Sequence, residues 1–289
     1  MPREICLLRL YHRRIRMINY KEIEKAIEAK APLDIQEDWD NSGWQIRLKT
    51  DFSKILLALE IRSDIIEEAV TKGCDLIITH HPLIFNPMNQ VIGLEGIDFN
   101  GGEEVDSNNI TANMMIDLIQ EGISVYSTHT PFDKCTDGNN DYLGHMLQID
   151  RFSTSGSGGG YVRVGEFFEN VTLDEIMERA AKQLGVDRKF FRYAGDTDIS
   201  IKRVCWVSGS GSEYMVSAIT ENCDLYVTGD LKYHDAQKAH ELGINILDLG
   251  HYATENIFRR AMSSILMDAG IYDKARVELS DVDINPFTL

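Results

Sequence analysis

A chain of 289 residues with 43% apolar and 26% charged residues can build one or two packed domains and has the composition of an ordinary soluble protein. Its net charge of −17 argues against a general nucleic-acid surface, which needs concentrated lysine and arginine. No apolar run reaches the length of a membrane span.

In chain order, MPREICLLRLYHRRIR (1–16) sets five arginines against one glutamate, and its apolar run is too short for a signal-peptide core. It is expected to be a dispensable extension, with Met17 as the natural start. NYKEIEKAIEAKAP reads as a helix with Ile23, Ala26 and Ile27 on one face and Pro32 as its stop. KILLALE is a short strand, RSDIIEEAVTKG a helix capped by Ser63 or Asp64 and ended by Gly73, and CDLIITHHP the next strand. TANMMIDLIQEG is a helix and ISVYSTHT a strand. After STSGSGGG, read as a linker or turn, the same grammar resumes. VTLDEIMERAAKQLG is a helix, IKRVCWVSG a strand and EYMVSAITEN a helix. CDLYVTGD, HDAQKAHELG and INILDLGH are strand, helix and strand, and TENIFRRAMSSILMDAG is a closing helix. Such alternation predicts an α/β fold with mainly parallel pairing. The five cysteines include no CxxC pair, so neither a zinc ribbon nor a disulfide framework is readable, and a reducing, cytoplasmic setting is expected.

Part of the chain repeats. AVTKGCDLIIT (69–79) and AITENCDLYVT (218–228) are identical at six of eleven positions, at an offset of 149. In both copies a later strand runs into a histidine with a carboxylate four residues on, His129 with Asp133 and His251 with Glu255. Duplication implies two similar α/β lobes that present polar residues at the carboxyl ends of their strands, where open α/β sheets bind ligands.

His80, His81, His129 and His251 each follow a predicted strand directly, and His234 lies just beyond one. A lone histidine is usually a hydrogen-bonded structural residue. Several of them with carboxylates form a ligand set for Zn, Fe, Mn or Ni. HYATE can open a helix, where His251 and Glu255 share a face and can share a metal. Neighbouring side chains on a strand point to opposite faces, so His80 and His81 can each serve a different ion. Carboxylates would bridge ions about 3.5–4 Å apart, and Pro82 stops the strand.

DWDNSGWQI, ITHHPLIF, STHTPFD, VSGSGSEYM, TGDLKYHDA and GHYATE occur in the order they take in the Nif-three-like dinuclear metal-centre family. The chain resembles that family, whose members carry the name GTP cyclohydrolase I type 2 homologues, from about Met17 to the closing helix. The resemblance implies two interleaved α/β lobes, 17–135 with 245–289 and 136–244, with the metal site in the cleft between them. It also implies a ring-shaped homohexamer. The implied ligands of two divalent transition-metal ions (Zn, Fe, Mn or Ni) are His80, His81, Asp133, His251 and Glu255. His129 and His234 match positions near the metals and are expected to support ligands or act as general acid or base. The repeat instead makes His129 equivalent to His251, and a histidine bonded within its own turn is the plain alternative. Lys232 can meet an anionic substrate or stay solvated.

Two departures stand out: Pro131-Phe132 where the family often has Asn-Leu, altering the pocket wall, and Glu60 where it often has Asp, altering a partner of a ligand. SGSGS (208–212) lies between strand and helix, where backbone amides can hold an anion, although turn chemistry is the simpler reading. The expected function is metal-dependent hydrolysis of a nucleotide or related small molecule, without membrane or general nucleic-acid partners. The alternative is a non-enzymatic, metal-loaded oligomeric scaffold or regulatory partner.

Overall fold

The computed structural model describes residues 17–98, 102 and 104–287, so the expected N-terminal extension lies outside the described residues. Its main strands are β1 (Gly43–Ile46), β2 (Lys54–Ala58), β3 (Leu76–Thr79), β4 (Ser124–Ser127), β5 (Arg151–Thr154) and β6 (Arg163–Thr172). They continue with β7 (Arg192–Ala194), β8 (Ser200–Ser210), β9 (Leu225–Gly229), β10 (Ile246–Asp248) and β11 (Arg276–Leu279). Five form a sheet in the order β11-β2-β3-β4-β1, parallel except for β1. Six form a second in the order β5-β6-β8-β9-β10-β7, in which β8, β9 and β10 are parallel.

The continuous apolar runs KILLA and LIIT suit strands buried on both faces. Ile55, Leu57, Leu76 and Ile78 pack against helices Tyr20–Glu28 and Phe258–Asp268, whereas Leu56, Ala58 and Ile77 face helices Ser63–Lys72 and Ser107–Gln120. The second sheet is covered in the same way. Val204, Trp206, Leu225 and Val227 face helix Leu173–Leu184, while Cys205, Val207 and Tyr226 lie against Met215, Ala218 and Ala239.

The repeat is visible in detail. The trios β2-β3-β4 and β8-β9-β10 share order and direction. Asp75 accepts the backbone N–H groups of Ser53 and Lys54. Asp224 accepts those of Lys202 and Arg203, each 149 residues later. The left-handed residue ahead of each aspartate is Gly73 (φ 66°) in one copy and Asn222 (φ 53°) in the other. Both tolerate that conformation better than most residues.

Several expectations change. β10 pairs with β9 in the six-stranded sheet, so the chain returns to the first lobe after Asp248 rather than at 245. An apolar strand pattern does not say which sheet the strand joins. STSGSGGG closes the hairpin between β5 and β6, with Ser155 N–H donating to Val162 O at 2.9 Å, and so is a turn inside one lobe. EYMVSAITEN forms a 3-10 turn (Ser212–Tyr214) and a four-residue helix (Ser217–Thr220), and the closing helix breaks between Glu255 and Phe258. Cys205 and Cys223 are joined as a disulfide, a pairing that their spacing does not reveal. Among the described residues, no helix is long and apolar enough to cross a membrane.

Candidate metal centre

Strands β3, β4, β9 and β10 end just before the residues that carry chemistry. His80 and His81 both donate their backbone N–H groups to Leu59 O, at 3.0 Å each. Strand alternation has stopped there, and the rings lie side by side with centroids 5.1 Å apart instead of on opposite faces. Short helices Thr130–Lys134 and His251–Glu255 follow β4 and β10 and turn Asp133 and Glu255 inward, where both are buried. Pro131 suits the first turn, where an N–H would have no partner. Phe132 packs edge-on against both His80 and Phe258.

Hydrogen bonds fix each histidine in the same sense. His80 Nδ1 donates to Thr128 O (3.0 Å) and His81 Nδ1 to Glu60 (3.1 Å). His129 Nδ1 donates to Asp40 (3.0 Å) and His251 Nδ1 to Asp230 (2.7 Å). Carbonyls and carboxylates can only accept, so every Nδ1 carries its proton. Nε2 is left as the ligating atom, which is how metal-binding imidazoles are normally oriented. The holders are themselves held: Asp40 also accepts from Thr130 N–H (3.0 Å) and Ser42 Oγ (3.0 Å), and Asp230 sits at a left-handed φ of 54°.

Ligand atoms then converge in three overlapping sets, each within 4.8 Å: His80, His81 and His129; His81, His251 and Glu255; His80, Asp133 and Glu255. Glu255 Oε2 lies 2.8 Å from His81 Nε2 and 2.7 Å from His251 Nε2. His80 Nε2 is 3.4 Å from Asp133 Oδ1 and 3.9 Å from Glu255 Oε1. His251 Nε2 is buried yet makes no hydrogen bond of acceptable geometry, despite the nearness of Glu255. The two atoms are close without being aimed at one another, as two ligands of one cation would be. Donors of this nitrogen and oxygen type suit Zn, Fe, Mn or Ni.

Without a cation, protons do its work. Burial opposes charge on His81 and His251, but Glu255 outweighs it at both, with Glu60 helping at His81 and Asp230 at His251. The two imidazoles are pushed up to about 10 and about 9. Burial raises Asp133, and the charge of Glu255 adds to that rise. Burial also works against charge on Glu255, but His251, His80 and His81 hold its carboxyl well below the usual range. Both histidines are raised above their ordinary 6.5. Their protonated forms therefore stabilise the metal-free fold fully below that pH, and the contribution is lost as pH rises through 9 to 10. Metal must displace these protons. Binding at pH 7 should release on the order of two protons per chain, falling towards none above about pH 10. Calorimetry in buffers of different ionisation enthalpy measures this, and uptake without proton release at pH 7 would place the metal elsewhere.

The structure thus brings together all five expected ligands and adds His129, the partner of His251 in the repeat. It does not bring in His234, which is exposed in the first turn of helix Tyr233–Glu241 against the ring of Tyr233. That turn faces solvent, and Lys232 beside it is exposed too. Glu60, where the resemblance implied an Asp one methylene shorter, reaches His81 at 3.1 Å. Sequence reasoning missed Asp40, Asp230, Thr128 and Asn139, whose Nδ2 donates to Asp133 at 3.1 Å. The first two were in plain view inside DWDNSG and TGDLK. It also missed Gly209 of SGSGS, which makes room instead of binding an anion: a Cβ there would sit 1.9 Å from Glu255 Oε1. Beyond His81 and His251 opens a cavity of about 580 Å³, with Glu60, Phe190, Arg192 and Asp230 in its walls.

The family model for Duf34/NIF3 (NGG1p interacting factor 3) matches residues 18–286. A GTP cyclohydrolase 1 type 2 homolog of Clostridium perfringens is 34% identical over 240 residues, covering 81% of this chain and 86% of the relative. The GTP cyclohydrolase 1 type 2 of Helicobacter pylori strain J99 is 32% identical over 247 residues, covering 85% and 90%. The solved structure of the Staphylococcus aureus hypothetical protein SA1388 matches with a TM-score of 0.82 at 23% identity, covering 94% of this chain and 99% of that one. That last likeness is one of fold.

Proposed function

This chain belongs to the Duf34/NIF3 family, and from that premise we propose that it is a dinuclear metal-dependent hydrolase of a nucleotide or related small molecule. The name GTP cyclohydrolase 1 type 2, carried by relatives about one-third identical, supports a nucleotide. The observation that carries the proposal is the shared orientation of four histidines. Each donates its Nδ1–H to a fixed acceptor and so keeps Nε2 for the cluster, in which Glu255 meets His80, His81 and His251 and Asp133 meets His80.

His80, Asp133 and Glu255 would hold one ion, and His81, His251 and Glu255 the other, with Glu255 spanning both. A pair of divalent ions there supplies Lewis acidity and activates water near neutral pH. The chain's own groups set the geometry. Glu60, Asp230 and the Thr128 carbonyl lock the ligating rings and raise their basicity. His129, locked by Asp40, offers Nε2 on the side of His80 and His81, as a sixth ligand or a proton acceptor. Six side chains for two ions leave positions for water and substrate, unlike the closed set of a structural zinc. The cavity beside His81 and His251 gives that substrate room.

Metal-reconstituted protein should carry about two ions per chain and turn over at least one compound in a screen of nucleotides and phosphoesters. The His80→Ala variant should fall to background while keeping its circular dichroism. His129→Gln assigns that residue: lost metal makes it a ligand, whereas full metal with lost turnover makes it the proton carrier. Two bound ions and no turnover on any class would favour the scaffold reading. Light scattering tests the accompanying proposal of a homohexamer.

A further inference from the structure

Trp39 and Phe85 stand beside the cluster without belonging to it. They are 57% and 45% exposed, an uncommon state for a tryptophan and a phenylalanine standing together. Their ring centroids are 5.9 Å apart, and both meet the ring of His129 edge-on, at 5.8 Å and 6.2 Å. The other two tryptophans are used differently. Trp206 is fully buried, and Trp44 stacks on Phe52 and donates to Glu24 at 2.6 Å.

Neither exposed ring hangs on a loose chain. Trp39 precedes Asp40, whose carboxylate is bound by His129, Thr130 and Ser42. Phe85 follows Ile84, whose carbonyl accepts from Asn41 (2.6 Å) and whose N–H donates to Gln45 (3.1 Å). Two partly exposed aromatic rings therefore stand next to a histidine whose ring lies 5.1 Å and 5.6 Å from those of His80 and His81. Apolar walls beside a few convergent polar groups are the usual make-up of a small-molecule site.

We propose that Trp39 and Phe85 form a stacking platform for a planar heteroaromatic ring of the substrate. A π-face on this platform would bring the atoms attached to the ring up to His129 and the ligand groups behind it. Aromatic surfaces recognise such rings through their faces, with little demand on ring substituents. The inference deepens the hydrolase reading and relies on it only for the fate of the bound molecule; ring binding itself needs no turnover.

The test is a titration of the metal-loaded full chain with guanosine, guanosine monophosphate and ribose 5-phosphate, followed by tryptophan fluorescence and calorimetry. The two ring-bearing compounds should quench Trp39, and ribose 5-phosphate should not. Trp39→Ala should weaken guanosine binding about tenfold to a hundredfold with metal content unchanged. Trp39→Phe should abolish the quenching yet restore most of the affinity. Equal affinity in Trp39→Ala and wild type would overturn the platform. So would dissociation of the assembly by Trp39→Ala, seen by light scattering, because the rings would then be a contact between copies. Ring binding without turnover would keep the platform and sink the hydrolase. Turnover with no preference for ring-bearing ligands would do the reverse.

Discussion

Glu255→Gln should cost the centre at least one of its metals while leaving the fold in place. The side chain keeps its shape, but a negative charge disappears from a buried position within 2.8 Å of two histidine nitrogens. Two adjacent cations would then repel each other with only Asp133 to offset them. Changes to groups that merely orient ligands cost about tenfold to a hundredfold in metal affinity, so loss of a shared ligand should cost on the order of a hundredfold or more. The cores rest on the apolar faces of two covered sheets, which do not depend on this carboxylate. Metal content and any hydrolytic activity should fall together while circular dichroism stays near wild type. Asp133→Asn should act similarly from the other half of the chain. Two tightly bound ions in both variants would show that these carboxylates are not ligands.

How much of this was legible depended on burial. The parallel centres of both sheets, β2-β3-β4 and β8-β9-β10, were readable because each strand is a compact apolar run between a helix and a turn. The four sheet edges, β1, β5, β7 and β11, were not. Edge strands are half-solvated and short, so they carry no apolar run, and β5 has three exposed residues of four. The same contrast holds at the site. The histidines and carboxylates of the cluster were visible because those residue types at strand ends have a definite chemistry. Their supports were not, because an aspartate such as Asp40 or Asp230 in a turn is ordinary until the fold shows which ring it faces. Asp75 and Asp224 illustrate the risk of guessing. They are as prominent in the repeat as any residue, yet both accept backbone N–H groups of a neighbouring strand, Asp75 at the start of β2 and Asp224 at an irregularity within β8. His129 was readable through the repeat, whose symmetry with His251 placed it beside the cluster.

Gly209→Ala should disable the metal centre without touching a ligand. The backbone there is fixed from both sides: Gly209 N–H donates to Thr254 Oγ1 at 2.9 Å, and its carbonyl accepts from Thr228 Oγ1 at 3.2 Å. A methyl group would lie 1.9 Å from Glu255 Oε1 and 2.8 Å from its Cδ, so the carboxylate must leave its place among His80, His81 and His251. Alanine at φ +62° also carries a backbone penalty of roughly 1–2 kcal/mol. Gly73→Ala separates the two effects. It imposes a nearly equal φ of +66°, with nothing within 4 Å of the new methyl, at the end of a helix remote from Glu255. Both variants should melt earlier than wild type, Gly209→Ala by the wider margin because it also pulls a buried carboxylate from its histidines. Only Gly209→Ala should lose metal affinity, by on the order of a hundredfold. If it binds two ions as tightly as Gly73→Ala does, Glu255 has room to yield. A carboxylate with that freedom is not the rigid bridge on which the two-metal reading depends.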